Sequence, residues 1–187
     1  MKKIQEKKII KKLKQGDEQA FEWIYDQYVD RIYRFVFLKV NVEEKTQEIV
    51  QDVFLKFWKT ASEDKTRINN VAALLYRIAR FNVIDYYRSK ARKQDEISIE
   101  SGIIDQELTV DIEIDKHIDI KYDLEKIKLA LVDLPQIYKD VIIMKFIDEL
   151  SNKEIAQILN KRASNVGVII HRALKTLRKN LNAGMQS

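Results

Sequence analysis

The sequence predicts an all-α chain of two small helical domains joined by an acidic linker. Three observations lead there. Apolar residues recur at three- and four-residue steps along most of the chain, the spacing of one helix face. With four Gly and one Pro in 187 residues, the chain lacks the punctuation that the many tight turns of a sandwich or barrel require. Charge is also segregated: between 95 and 119 nine acidic residues face the single base Lys116, a net of −8, so the rest of a chain whose total is +5 holds +13. Two basic modules, 1–93 and 121–187, are therefore expected on either side of a linker at 94–120.

The first strong period, Asp17 to about Val40, places Phe21, Ile24, Tyr25, Tyr28, Ile32 and Phe35 on one face, with Asp17 after Gly16 as the N-cap. It reads as one helix or two in series. From about Thr46 to Thr60, Ile49, Val50, Val53, Phe54 and Phe57 form an apolar face while Glu48, Gln51, Asp52 and Lys56 lie elsewhere. After a polar loop, Ala61 to Asn70, a third helix is expected over Val71 to Arg92, ending in aromatics interleaved with cations. Within the linker, residues 110 to 115 alternate with period two, but a lone strand is unstable, so an extended tether is expected.

Helical periodicity returns at Tyr122. Pro135, the only proline, ends one helix and starts the next, which runs to about Ile147. Asp148-Glu149-Leu150 turns the chain into Ser151-Asn152-Lys153-Glu154, a capping box opening a short helix through Leu159. A turn at Asn160 to Ala163 leads to a last helix from about Ser164 to Asn180, packing Val166, Ile170, Ala173, Leu174 and Leu177. A short capped helix, a brief turn and a second helix with a basic outer side form a helix-turn-helix pattern, so the second domain is expected to be of that type.

The chemistry available is narrow. No Cys and two isolated His, His117 and His171, remove thiolate sites and a zinc cage, so neither metal nor cofactor is expected. No Gly-rich phosphate loop and no Ser/His/Asp spacing appear, and the chain is not expected to be an enzyme. The basic N-terminus lacks the apolar stretch of a signal peptide, and no run approaches a membrane span, so a cytoplasmic protein without membrane insertion is expected. What survives is nucleic-acid recognition: cations for phosphates, amides for base edges, aromatics for unstacked bases.

Order and spacing sharpen this. Gly16-Asp17-Glu18-Gln19-Ala20-Phe21, Ile49-Val50-Gln51-Asp52-Val53-Phe54-Leu55-Lys56-Phe57-Trp58, and Leu75-Tyr76-Arg77-Ile78-Ala79-Arg80 with Asp85 and Arg88 resemble sigma region two. Leu134-Pro135, Leu150-Ser151-Asn152-Lys153-Glu154-Ile155-Ala156, and His171-Arg172-Ala173-Leu174-Lys175-Thr176-Leu177-Arg178 resemble sigma region four. Together, in this order and over nearly the whole chain, they resemble a bacterial RNA polymerase sigma factor of the extracytoplasmic-function type. Leu74 and Phe81 stand where that family usually has Trp and Asn, and they read as alternative apolar packing in the core that leaves the fold intact. In the recognition helix, Gly167, Val168 and Ile169 follow Val166, where the family often places basic residues.

The resemblance implies a transcription initiation factor that binds core RNA polymerase, selects promoters and helps melt them, often under an anti-sigma partner. It assigns Glu48, Gln51, Asp52 and Lys56 to the polymerase, with Gln51 and Asp52 foremost. It places Arg67, Asn69, Asn70, Arg77, Arg80, Tyr86, Tyr87, Arg88 and Lys90 near the minus-ten element, the loop of Arg67, Asn69 and Asn70 holding a flipped base. Tyr76 and Tyr87 read equally well as core. Lys161, Arg162, Asn165, Ile169, Arg172, Lys175 and Arg178 go to the minus-thirty-five element, with Asn165 and Arg172 set to read bases and the flanking cations to hold phosphates. The linker is implied to lie in the polymerase channel used by RNA. The rival readings are a stand-alone helix-turn-helix regulator, whose first module serves an effector or a second copy, and a helical adaptor that meets no nucleic acid.

Overall fold

The computed structural model describes residues 2–63, 68–100, 131 and 133–184. Arg67, the alternating segment 110–115 and the helical signal over 122–130 lie outside the described residues. Among those described, every regular element is a helix: α1 Lys2–Leu13, α2 Glu18–Val40, α3 Glu43–Ser62, α4 Val71–Glu100, α5 Gln136–Ile142, α6 Asn152–Leu159 and α7 Ala163–Gly184.

The entry to α2 follows the sequence closely. Gly16 takes a positive φ of 75° that a side chain would resist, and the Asp17 carboxylate accepts the Ala20 N–H at 3.0 Å. That N–H, helped by Lys12, holds the Asp17 carboxyl below the usual carboxylate range. The helix then runs unbroken to Val40 and stops where Asn41 turns left-handed at φ 57°. The α3 helix begins at Glu43, three residues before the expected Thr46. Two glutamates suit a first turn, and the buried Thr46 turns its hydroxyl back to the Val42 carbonyl at 2.8 Å instead of capping.

The α4 helix starts where Asn70 accepts the Ala73 N–H at 2.9 Å. It continues to Glu100, so the first residues expected as linker are helical. Ile24, Ile32 and Phe35 from α2 meet Val53 and Phe57 from α3 and Leu75, Tyr76, Ala79 and Val83 from α4, all without solvent contact. The Phe35 and Tyr76 rings meet edge-on at 5.2 Å. Leu74 is half-buried against this core, as expected. Phe81 is not: it is 57% exposed, because it lies one turn beyond Arg77 on the outer side of α4.

In the second half Pro135 is the N-cap of α5 and not its first helical residue. The helix that was expected to run to Ile147 changes character at Ile143, where a π-turn spans Ile143–Ile147. Asp148 and a left-handed Glu149 (φ 56°) then reverse the chain. The expected capping box is present: the Ser151 hydroxyl accepts the Glu154 N–H at 3.3 Å, and the Glu154 carboxylate accepts the Ser151 N–H at 2.8 Å. Left-handed Asn160 ends α6, and α7 packs Val166, Ile170 and Ala173 inward, while Leu174 remains 40% exposed.

Two substitutions should move stability in opposite directions. Ser151→Ala removes one side of the capping box and should cost about 1 kcal/mol. Gly167→Ala should add about 0.5–1 kcal/mol, since it sits inside α7 with nothing within 4 Å of an added Cβ. Chemical denaturation of the two variants beside the parent chain checks both signs.

Candidate nucleic-acid interface

Three surfaces carry the expected functional residues. The first is the outer side of α3. Glu48, Gln51, Asp52, Leu55 and Lys59 are exposed at three- and four-residue steps, and Leu55, 51% exposed, puts an apolar group among the polar ones. Glu48 pairs with Lys45 one turn back. Lys56 leaves the stripe, its ammonium donating to the Asn82 side chain of α4 at 2.6 Å.

The second surface belongs to the turn before α7 and to α7 itself. Lys161, Arg162, Asn165, Arg172, Lys175 and Arg178 are all exposed. Asn160, Lys161, Arg162, Ser164 and Asn165 line an open hollow of about 570 Å³ at the turn. Asn165, Ile169 and Arg172 follow one another at helical steps, and Ile169 lies half-buried against the core, so only part of it faces outward.

The third surface, on α4, is where the structure departs most from a simple expectation. Asn69, Arg88 and Lys90 are exposed, Arg88 within 3.7 Å of Asp85. Tyr86 and Tyr87 are half-buried, with rings 5.2 Å apart, and the Tyr87 hydroxyl donates to the Lys39 carbonyl. Burial pushes the Tyr87 phenol up. Asn70, Arg77 and Arg80 are engaged by the second half of the chain. The Asn70 amide donates to the Gln157 side chain at 2.9 Å, Arg77 donates to the Gln157 carbonyl at 3.0 Å, and Arg80 Nε lies 2.6 Å from Asp140 Oδ2.

Those three contacts belong to a larger junction that sequence reasoning missed. Asp140 and Asp148 are each 1% exposed. Asp140 receives Lys39 Nζ at 2.5 Å as well as Arg80. Asp148 receives Arg34 Nη2 at 2.7 Å and the Tyr76 hydroxyl at 2.8 Å, and Arg31 donates to its carbonyl at 2.5 Å. Burial draws the Lys39 ammonium below the ordinary lysine range, against the pull of Asp140. Burial, reinforced by the Asp148 carboxylate, raises the Tyr76 phenol, so it stays a donor. The π-turn makes the double junction possible. Residues eight apart on a continuous α-helix are turned from each other by about 80°, and a π-turn spends more residues per turn, which swings Asp148 back toward the side of Asp140.

Tyr76 is thus core, one of the two readings its position allowed. A signal for the junction existed: Lys39 sits inside Phe35-Val36-Phe37-Leu38-Lys39-Val40, and Asp140 one turn from Ile137 and Met144. A charge at a core position of a helical period needs a buried partner.

Comparison with known proteins matches both halves. The sigma-70 region 2 model covers residues 24–93 and the sigma-70 region 4 model residues 124–177. The ECF RNA polymerase sigma factor SigW of Bacillus subtilis is 32% identical, over 94% of this chain and 96% of that one. The chain belongs to the extracytoplasmic-function sigma factors. A second relative in the same organism, the RNA polymerase sigma factor YlaC, is 28% identical over 87% of this chain and 92% of that one. Among solved structures, CnrH in complex with the cytosolic domain of CnrY shares the fold, with a TM-score of 0.68 at 20% identity over 94% of this chain and 96% of that one. No helix among the described residues of this sigma factor is long and apolar enough to cross a membrane.

Since Tyr76 holds Asp148, Tyr76→Phe should destabilise the chain by about 1.5–3 kcal/mol, because it takes one donor from a buried carboxylate while losing only the hydroxyl's volume. Denaturant unfolding monitored through Trp23 and Trp58 measures it.

Proposed function

We propose that this sigma factor binds core RNA polymerase through the outer side of α3, melts and holds the minus-ten element on α4, and reads the minus-thirty-five element with α7. The region-two unit is taken as residues 1–93, the linker as 94–120 and region four as 121–187. The single observation that carries the reading is the exposed basic outer side of α7 behind a capped α6, in a chain whose two halves match sigma regions two and four. The protein acts in the cytoplasm, where polymerase is, and catalyses nothing itself. The sigma factor RpoE of Bartonella quintana, which shares the fold, was solved in complex with the anti-sigma factor NepR, and an anti-sigma partner is proposed here as well.

Energetics favour a polymerase subunit over a stand-alone regulator. Unstacking ten base-pair steps costs on the order of 14 kcal/mol at about 1.4 per step, and a base-flipping pocket returns only a few. A module of this size cannot open duplex unaided. A mobility-shift assay tests the class: duplex promoter DNA should shift with core polymerase plus this chain and not with this chain alone. A shift by the chain alone would identify a regulator. Changing Gln51 and Asp52 together to Ala should weaken core binding in a titration and leave the melting temperature nearly unchanged, because both side chains are exposed. Equal core affinity would remove α3 as the docking side.

Within α7 the two kinds of contact separate by salt. Arg172→Ala should cost about 1–3 kcal/mol at the preferred upstream element and relax preference at one base. Lys175→Ala should weaken every sequence alike and reduce the salt slope by roughly one counterion. Holoenzyme binding to a panel of upstream-element variants at two salt concentrations measures both. A uniform, salt-sensitive loss for Arg172→Ala would make it a phosphate contact.

A further inference from the structure

The lysines of α1 exceed what the fold asks of them. Residues 1–93 hold 21 basic and 13 acidic residues, a net of +8, and residues 1–15 supply +6 of it through seven Lys against the single Glu6. That short segment carries more net charge than all of 121–187, where 12 basic and 7 acidic residues leave +5. Folding gains little from such crowding. Lys3, Lys7 and Lys11 follow one another at four-residue steps, as do Lys8 and Lys12, so like charges line up along the helix and weaken it. Lys2 and Lys3 also stand in a first turn that holds no acidic residue, at the positive end of the helix dipole. Lys12 reaches Asp17 at 3.3 Å, whereas Lys8 and Lys11, both exposed, have no ion pair among the described residues.

The apolar side of α1 is already occupied. Leu13 is fully buried, and Ile9 and Ile10 pack against the region-two core, which holds the helix on α2 and α3. This arrangement selects among polyanions. A lipid surface is gripped by inserting apolar side chains beside the cations, and Ile9, Ile10 and Leu13 are committed to the core. A nucleic-acid backbone needs only cations within reach of phosphates, and the 12 residues of α1 make a rod about 18 Å long, over which duplex DNA presents about ten phosphates. Residues 1–15 hold no Arg, and an ammonium meets phosphate as a point charge without the fork that reads guanine.

We propose that α1 is a second DNA contact of region two, a sequence-independent one that holds the phosphate backbone of promoter DNA in the assembled complex. The proposal rests on the functional reading above. It adds affinity on a side of region two built by α2 and α3, without choosing the promoter.

Lys7→Gln with Lys8→Gln and Lys11→Gln removes three charges and keeps long side chains of good helix propensity. Holoenzyme carrying this variant should bind promoter duplex at least about tenfold more weakly at about 0.1 M salt, with the salt slope reduced by about two to three counterions. The loss should be equal for every promoter variant, with core affinity within twofold of the parent. Lys7→Arg, Lys8→Arg and Lys11→Arg together should restore both affinity and slope. An unchanged slope with promoter affinity within twofold overturns the proposal, as does a loss of core affinity that accounts for the whole effect. So does binding to phosphatidylglycerol vesicles that the Gln variant loses while its holoenzyme keeps the parent slope.

Should the Gln variant melt below the parent, acetylation footprinting of the parent holoenzyme decides. Promoter DNA should slow modification of Lys8 and Lys11 beyond what core polymerase alone does, and undiminished reactivity overturns the contact. Failure of the functional reading is distinguishable: core polymerase that never co-elutes with the chain refutes the sigma assignment. The free chain, titrated with random-sequence duplex at about 0.02 M salt, then still judges α1 by the same difference in slope between parent and variant.

Discussion

Asp140 and Asp148 impose the strictest condition on this structure. A carboxylate taken out of water is tolerated only with charge partners and hydrogen bonds around it, and these two find theirs on helices more than a hundred positions away in sequence for Lys39 and Arg34. That requirement fixes where α5 lies on α2 and α4. It also explains the otherwise costly π-turn, which a continuous α-helix would avoid, and the left-handed Glu149 that follows it. Tyr76 joins the requirement to the region-two core, since its ring packs on Phe35 while its hydroxyl serves Asp148.

The three candidate faces consequently stand in different states. The α3 stripe and the outer side of α7 are open to solvent, and only the α4 face is covered in part by the other half of the chain. On α3 the polar side chains are already presented to solvent, with Leu55 exposed among them. The same logic gives Phe81 meaning. An aromatic side chain left 57% exposed beside Arg77 and Arg80 contributes little to folding, and it lies outside the core that the family comparison of this position suggested.

Much of the fold was legible because its signals are local. Gly16-Asp17 announces α2, Ser151 to Glu154 announces α6, and the apolar steps of α3 and α7 place Ile49, Val53, Phe57, Val166, Ile170 and Ala173 inside, where they are. Local signals also misled: Thr46 looked like a start but bonds backward, and Phe81 was read by its apolar character although it lies two positions, about 200° round the helix, from both buried Ala79 and Val83. The junction was illegible for a different reason. Lys39 and Asp140 each signal a missing partner, yet periodicity within one helix does not say which residue of another helix supplies it. The π-turn has no turn residues to mark it, since Ile143-Met144-Lys145-Phe146-Ile147 reads as ordinary helix.

These energies bear on how labour is divided in initiation. The cost of melting, on the order of 14 kcal/mol for ten steps, already exceeds what a small helical module returns through a flipped base and a few stacked rings. Arg77 and Arg80, proposed above for the melted strand, are here already satisfied by Gln157 and Asp140. An anion that reached these side chains would replace one carbonyl contact and one carboxylate contact, so the exchange for Arg80 would be close to neutral.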